Sequence, residues 1–257
     1  MEKDVFNTVK EVFPEVMALM KSCGGILRNA NPSSADLEQK EGRQNFVTEY
    51  DSLIQEKLRE GLDRILPGAA FFGEENGEQD DIRKGIAFIV DPIDGTSNFM
   101  KGLGHNCISI GITVDAHPAA GAVYEPYKDE MYHAVRGGGA FLNDTPIHVN
   151  KDTLETGIVS MGTAPYFSDL TDATFEKLRY YFDRCIDIRR FGSAALDLCD
   201  VAAGRTCLYL ELSVAPWDCA AGALIVEEAG GKITDGDGNP MQYLHRASIK
   251  ATNGVAE

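Results

Sequence analysis

The chain has 257 residues, with 24 Lys and Arg against 40 Asp and Glu, a formal net charge of −16 and an isoelectric point near 4.7. An apolar fraction of 44% with 9% aromatics is enough to bury a sizeable core, in one large domain or two closely packed ones, which excludes intrinsic disorder. The acidic balance argues against a nucleic-acid binder, because phosphate-backbone affinity comes from clustered Lys and Arg, and an anionic substrate would be repelled unless bound cations reversed the local field.

Met1 to Phe13 carries Glu2, Asp4 and Glu11 and lacks the basic start and apolar stretch of a signal peptide. No run approaches the ~18 apolar residues of a membrane helix, so a soluble cytosolic protein is expected. Val5, Val9, Val12, Phe13, Val16 and Met20 recur at helical spacing and predict an amphipathic first helix, bent at Pro14 and ending near Gly24-Gly25. The polar stretch from Asn29 to Asn45 reads as a surface loop. Ile54, Leu58, Leu62 and Ile65 mark a second helix, opened by Thr48 or Asp51 and stopped by Pro67-Gly68.

Ile86 to Val90 reads as a short buried strand. Cys107 to Val114 alternates Ile108, Ile110, Ile112 and Val114, and Gly121 to Tyr124 with Met131 to Val135 suggests a meander. From about Thr153 strands and helices alternate: a strand near Ile158, helix Phe175 to Phe182, strand Ile186 to Phe191, helix Ala194 to Ala203, strand Cys207 to Leu212, and helix Trp217 to Ala229 stopped by Gly230-Gly231. The pattern predicts an α+β half over 1–150 and an α/β half over 151–257. Six scattered cysteines form no CxxC pair or disulfide rhythm, and read as buried reduced thiols.

The richest stretch is Asp91-Pro92-Ile93-Asp94-Gly95-Thr96, directly after the apolar strand ending at Val90. Ligands sit outside the carboxyl ends of strands, and two carboxylates three residues apart can point into one small volume. Taken alone the run reads equally well as a plain turn. Three more acidic sites accompany it: Glu74 and Glu75 after Gly73, Asp51 closing Val47-Thr48-Glu49-Tyr50-Asp51, and Asp218 after Trp217 at a helix start. Each has a bland alternative as well, namely solvated loop charge, a capping box and a favourable helix N-terminus. If Glu74, Asp91, Asp94 and Asp218 converge, two carboxylates ~4 Å apart repel by roughly 4 kcal/mol at an effective dielectric near 20. Cations are then required, and oxygen-only ligands select hard ions such as Mg²⁺, whereas no His stands at zinc spacing. Two ions about 3.5–4 Å apart would clamp a phosphate ester and activate a water.

With these motifs in this order, the chain resembles the inositol monophosphatase family of Mg²⁺-dependent, lithium-sensitive sugar phosphatases. The matching pieces span nearly the whole chain and include Gly73-Glu74-Glu75, Asp91 to Phe99, Gly121 to Pro126, Gly192-Ser193-Ala194-Ala195 and Pro216-Trp217-Asp218. The resemblance implies a layered αβαβα fold and two or three Mg²⁺ ions. It implies that Glu74, Asp91 and the Ile93 carbonyl hold one ion, that Asp91, Asp94 and Asp218 hold the next, and that a third, weaker ion shares Glu74. Thr96, oriented by Asp51, would position the attacking water with Glu74, and the Gly95 and Thr96 amides would hold the phosphate. Asp94, Gly192, Ala194 and Glu211 match positions on the substrate side. Without the family, Glu211 reads as an ordinary strand acid and Lys40 as a solvated loop charge.

The expected activity is hydrolysis of inositol 1-phosphate or a similar polyol phosphate, by a homodimer. The nearest alternative is a phosphatase of a nucleotide bisphosphate, fructose 1,6-bisphosphate or histidinol phosphate. A non-catalytic regulatory protein, partnering transcription machinery, is the reading from a different class. Two departures from the family pattern, Thr206-Cys207 before the strand of Glu211 and Gly104-His105-Asn106 after Asn98-Phe99, bear on loop shape and substrate preference and touch none of the expected metal ligands.

Overall fold

The computed structural model describes residues 2–31, 37–39, 46–75 and 79–256, so Lys40 lies outside the described residues. The chain opens with helix α1 (Glu2–Asn29), a two-stranded antiparallel pair of β1 (Leu37–Gln39) and β2 (Phe46–Thr48), and helix α2 (Glu49–Ile65). A seven-stranded sheet follows, in sequential order: β3 (Ala70–Gly73), β4 (Ile86–Asp94), β5 (Cys107–Val114), β6 (His117–Glu125), β7 (Glu130–Val135), β8 (Ala140–Leu142) and β9 (Thr145–Ile147). Among the described residues, β3 and β4 form the one parallel pair of this sheet. The five-residue helix α3 (Thr96–Met100) leaves the end of β4.

The second sheet has the order β11-β10-β12-β14-β13. It comprises β10 (Ile158–Met161), β11 (Asp187–Arg189), β12 (Leu208–Val214), β13 (Lys232–Thr234) and β14 (Ala247–Thr252), and its helices are α4 (Thr171–Phe182), α5 (Ala194–Ala202) and α6 (Pro216–Glu228).

Side-chain alternation dictates how these pieces stack. Along β4, Phe88 and Val90 join the core under α1 and α2, with Val16, Met20, Ile54 and Leu58, while Ala87 and Ile89 join the core shared with α5 and α6. Both faces are covered, which explains why this segment reads as an unbroken apolar run. Tyr209, Ile249 and Ala251 of the second sheet close the α5–α6 core from the other side. The far face of that sheet meets Tyr181 and Leu178 of α4 through Val159, Met161, Leu208 and Leu210. The result is five layers, αβαβα, as the resemblance implied. Helix α6 lies between the sheets and is buried almost continuously from Cys219 to Val226, as a helix apolar all round must be.

The structure corrects four expectations. Helix α1 runs through Gly24-Gly25 to Asn29, because a Cβ at Gly24 would overlap the Tyr124 ring; the glycine permits close packing of α1 and does not end it. The stretch read as a loop from Asn29 to Asn45 contains β1, paired to β2. The strand expected to end at Val90 continues to Asp94, since Asp94 pairs with Cys107 across an irregularity after Asp91. All six cysteines are free, but Cys185 is only half-buried.

Helix α6 approaches the first sheet closely at Gly121, where an added Cβ would lie 2.7 Å from the Ala221 carbonyl oxygen. Because backbone must move to accept it, Gly121→Ala is expected to lower the unfolding free energy by about 1–3 kcal/mol, read as a lower urea midpoint at an unchanged slope. An unchanged midpoint would contradict this packing.

Candidate active site

The two parallel strands deliver their acids to one end of the sheet. Gly73 pairs with Val90, so Glu74 and Asp91 emerge side by side, and the Glu74 amide donates to the Val90 carbonyl at 3.1 Å. Asp91 stands opposite Ser109 on β5, whose hydroxyl donates to the Trp217 carbonyl at 3.3 Å. That contact brings the first turn of α6, and with it Asp218, onto the end of β4. One carboxylate oxygen from each of Asp91, Asp94 and Asp218 lies within 4.8 Å of the others.

Each of the three is aimed by a backbone amide. Asp91 accepts from the Ile93 amide at 2.9 Å and Asp218 from the Ala215 amide at 2.6 Å. Asp94 Oδ2 accepts from the Ala195 amide at 2.7 Å and the Ser193 hydroxyl at 2.6 Å, so it caps α5 from a distant part of the chain, where negative charge is favoured. Among the described residues the second oxygen of each, Asp91 Oδ2, Asp94 Oδ1 and Asp218 Oδ1, has no protein donor.

The electrostatics are those of a crowded anion cluster. Burial, followed by the charges of Glu74, Asp94, Asp218 and Asp51, pushes the Asp91 carboxyl well above its ordinary range. Burial raises Asp94 to about 6 against the pull of Ser193 and Ala195. Asp218 is also raised well above the usual value, by burial and then by Asp94 and Glu74. Within 4.8 Å of one another, two ionised carboxylates repel by at least about 3–4 kcal/mol at an effective dielectric near 20. An oxygen-only set, held by amides and short of positive charge, fits a hard divalent cation. Asp91, Asp94 and Asp218 would hold it, with Glu74 and the Ile93 carbonyl beside them.

Beside this cluster Thr96 Oγ1 lies 3.1 Å from the Ile93 carbonyl and 3.3 Å from Asp51 Oδ1. The other oxygen of Asp51 accepts from the Thr48 amide at 2.8 Å. The capping box of α2 and the orientation of Thr96 are thus two uses of one buried carboxylate. Gly95 takes φ +89°, and a Cβ there would lie 2.9 Å from the His105 carbonyl, so the turn needs glycine twice over.

The acids open into a cleft of about 110 Å³ that Gly95, Thr96, Gly192, Ala194 and Glu211 also line. All the expected site residues except Asp51 therefore face one space, and Asp51 reaches it through Thr96. Glu211 is held by the Tyr209 hydroxyl at 2.6 Å and the Ala164 amide at 2.8 Å. Burial raises its carboxyl, and these two donors, then Arg190 and Arg246, pull it back. Tyr166, Arg190, Asp197 and Arg246 are among the wall residues that the sequence does not single out. The Arg189-Arg190 pair just before Gly192-Ser193 was the available signal. Arg246 carried none, because it reaches the cleft from β14's approach, lying over the Trp217 and Phe167 rings at 5.8 and 5.5 Å.

Stacked in this order, the layers are those of the αβαβα sugar phosphatases. The chain belongs to the inositol monophosphatase family, whose description matches residues 8–257. The Nus factor SuhB of Pasteurella multocida is 37% identical over 233 residues, covering 90% of this chain and 87% of that protein. The inositol-1-monophosphatase of Bacillus subtilis is 33% identical over 240 residues, covering 93% and 89%. A solved IMPase/NADP phosphatase, complexed with Mg²⁺ and phosphate, superposes with a TM-score of 0.86 at 26% identity, covering 97% of this chain and 93% of that one.

The raised carboxyls set a sign for stability. The folded chain without cation binds more protons than the unfolded chain, so these groups cost stability at pH 7.5 and less as pH falls toward the Asp94 value of about 6. A divalent cation removes that cost. Mg²⁺ is expected to raise the melting temperature more at pH 7.5 than at pH 5.5, and Asp91→Asn to melt higher than wild type without cation while losing most of the Mg²⁺ shift. Equal Mg²⁺ shifts in wild type and variant would contradict the assignment of Asp91.

Proposed function

We propose that the chain is a Mg²⁺-dependent phosphomonoesterase acting on inositol 1-phosphate or a similar polyol or sugar phosphate. The observation that carries this reading is the trio Asp91, Asp94 and Asp218, converging within 4.8 Å with one oxygen each turned to a common space beside Thr96. Family membership supports it, as does the relative named inositol-1-monophosphatase.

Bound cations would supply Lewis-acid charge for the phosphate and leaving oxygen and lower the pKa of a water. The protein's own groups do the rest. When the Thr96 hydroxyl donates to Asp51, its lone pairs face the cleft and can accept from a water, while Glu74 offers a second acceptor; together they fix the line of attack on phosphorus. The Gly95 and Thr96 amides hold the phosphate. The ester bond to the polyol breaks as the water oxygen bonds to phosphorus, and inorganic phosphate and the free alcohol leave. Gly192, Ala194 and Glu211 contact the alcohol portion. The reading includes a homodimer by family resemblance.

The relatives named Nus factor SuhB support a second reading, a regulatory binding protein, which needs no turnover. The complete acid set favours catalysis. Purified chain with Mg²⁺ is expected to release phosphate from inositol 1-phosphate, and Asp91→Asn and Thr96→Ala to lower kcat by about 100-fold or more with unchanged circular dichroism. Absence of phosphate release from any polyol or sugar ester at saturating Mg²⁺ would sink the enzymatic reading.

A further inference from the structure

Two arginines border the substrate end of the cleft, and they are held differently. Arg246 lies against two aromatic faces and 3.9 Å from Asp218 Oδ2. Arg190 makes no hydrogen bond or ion pair among the described residues, whereas its neighbour Arg189 is engaged by Asp187. The Arg190 guanidinium folds inward over Gly192: its Nη1 occupies the space a Cβ of Gly192 would fill, and its Cζ is 3.4 Å from that point. Gly192 takes φ +93° and has no side chain to displace it, so the charged head forms part of the wall of the cleft that Glu211 also lines.

Asp218 answers Arg246 at this end, so Arg190 is the guanidinium that no carboxylate holds among the described residues. Glu211 is the carboxylate here, and both its oxygens already accept from Tyr209 and Ala164. Burial pushes the Asp197 carboxyl toward its neutral form. Arg190 is therefore a cation in the cleft wall that the hydroxyls of a neutral polyol do not require. A planar fork of donors without a partner suits a carboxylate or a phosphate.

We propose that Arg190 is a specificity-determining residue that reads a second anionic group on the substrate, so that the preferred esters are phosphates of polyols or sugars bearing another carboxylate or phosphate. This rests on the phosphatase reading above and narrows its substrate class. Arg190 acts on the part of the substrate remote from the reacting phosphorus, so it should act through KM more than kcat.

A matched pair isolates the second anion: glucitol 6-phosphate and gluconate 6-phosphate differ only in a terminal hydroxymethyl or carboxylate, and glucitol 1,6-bisphosphate tests phosphate in its place. With Mg²⁺, wild-type chain is expected to favour the anion-bearing esters by about tenfold or more in kcat/KM, mainly through KM. Arg190→Gln should bring that ratio close to one, and Arg190→Lys should restore part of it, since charge remains without the fork. Which of the two anions gains more identifies the partner. A wild-type ratio of one or less, or a ratio unchanged in Arg190→Gln, would overturn the proposal while leaving the phosphatase intact. The same esters titrated calorimetrically with Ca²⁺ separate the two ideas: an Arg190-dependent binding preference without phosphate release in Mg²⁺ would uphold the anion subsite and reject the phosphatase, and no preference in binding or turnover would reject the subsite.

Discussion

Three carboxylates, from the end of one strand and the start of one helix, are forced within 4.8 Å of each other although each repels the others. The repulsion cannot relax, because every one of them is tied at one oxygen by an amide from a different piece of backbone: Ile93 for Asp91, Ala195 for Asp94, Ala215 for Asp218. The chain thus holds a locally unfavourable arrangement by spending rigid structure on it, as sites selected for function and not stability commonly do. The β4 irregularity after Asp91, the close seating of α6 on the first sheet at Gly121, and the capping of α5 by Asp94 all serve that arrangement.

The same ties join the two sheets. Asp94 belongs to the first sheet and Ser193 and Ala195 to a helix between the sheets, while Asn98 donates to both the His105 and Phe191 carbonyls at 2.7 and 2.8 Å. The cleft is therefore walled by both sheets' connections, with the acid cluster on one side and Glu211, Arg190 and Arg246 on the other. Cations bound at the acid end, with Arg190 at the other, would let a net acidic protein gather an anionic ligand.

Most of what positions the acids was legible in the sequence. The apolar run before Asp91, the helical spacing around Ile54 and Leu58, and the strand–helix alternation after Ile158 are periodicities that burial imposes directly. The order of the acidic motifs pointed to convergence. Long-range packing was not legible. Gly24-Gly25 reads as a helix stop because the Tyr124 ring that requires the glycine lies on a distant strand, and the three-residue strands β8, β9 and β13 are too short to show a period. Arg190 and Arg246 escaped for a related reason. Arg246 carries no pattern and the Arg189-Arg190 pair does not say which arginine turns inward; only the fold shows that Arg246 stacks on rings while Arg190, with no hydrogen bond or ion pair among the described residues, lies over Gly192.

The central claim is that these oxygens form one cage for hard divalent cations, and anomalous diffraction from crystals of the chain grown with Mn²⁺ tests it most directly. Strong density is expected between Asp91, Asp94 and Asp218, with Glu74 and the Ile93 carbonyl at its border. Carboxylates swung apart around empty density at saturating Mn²⁺ would contradict it.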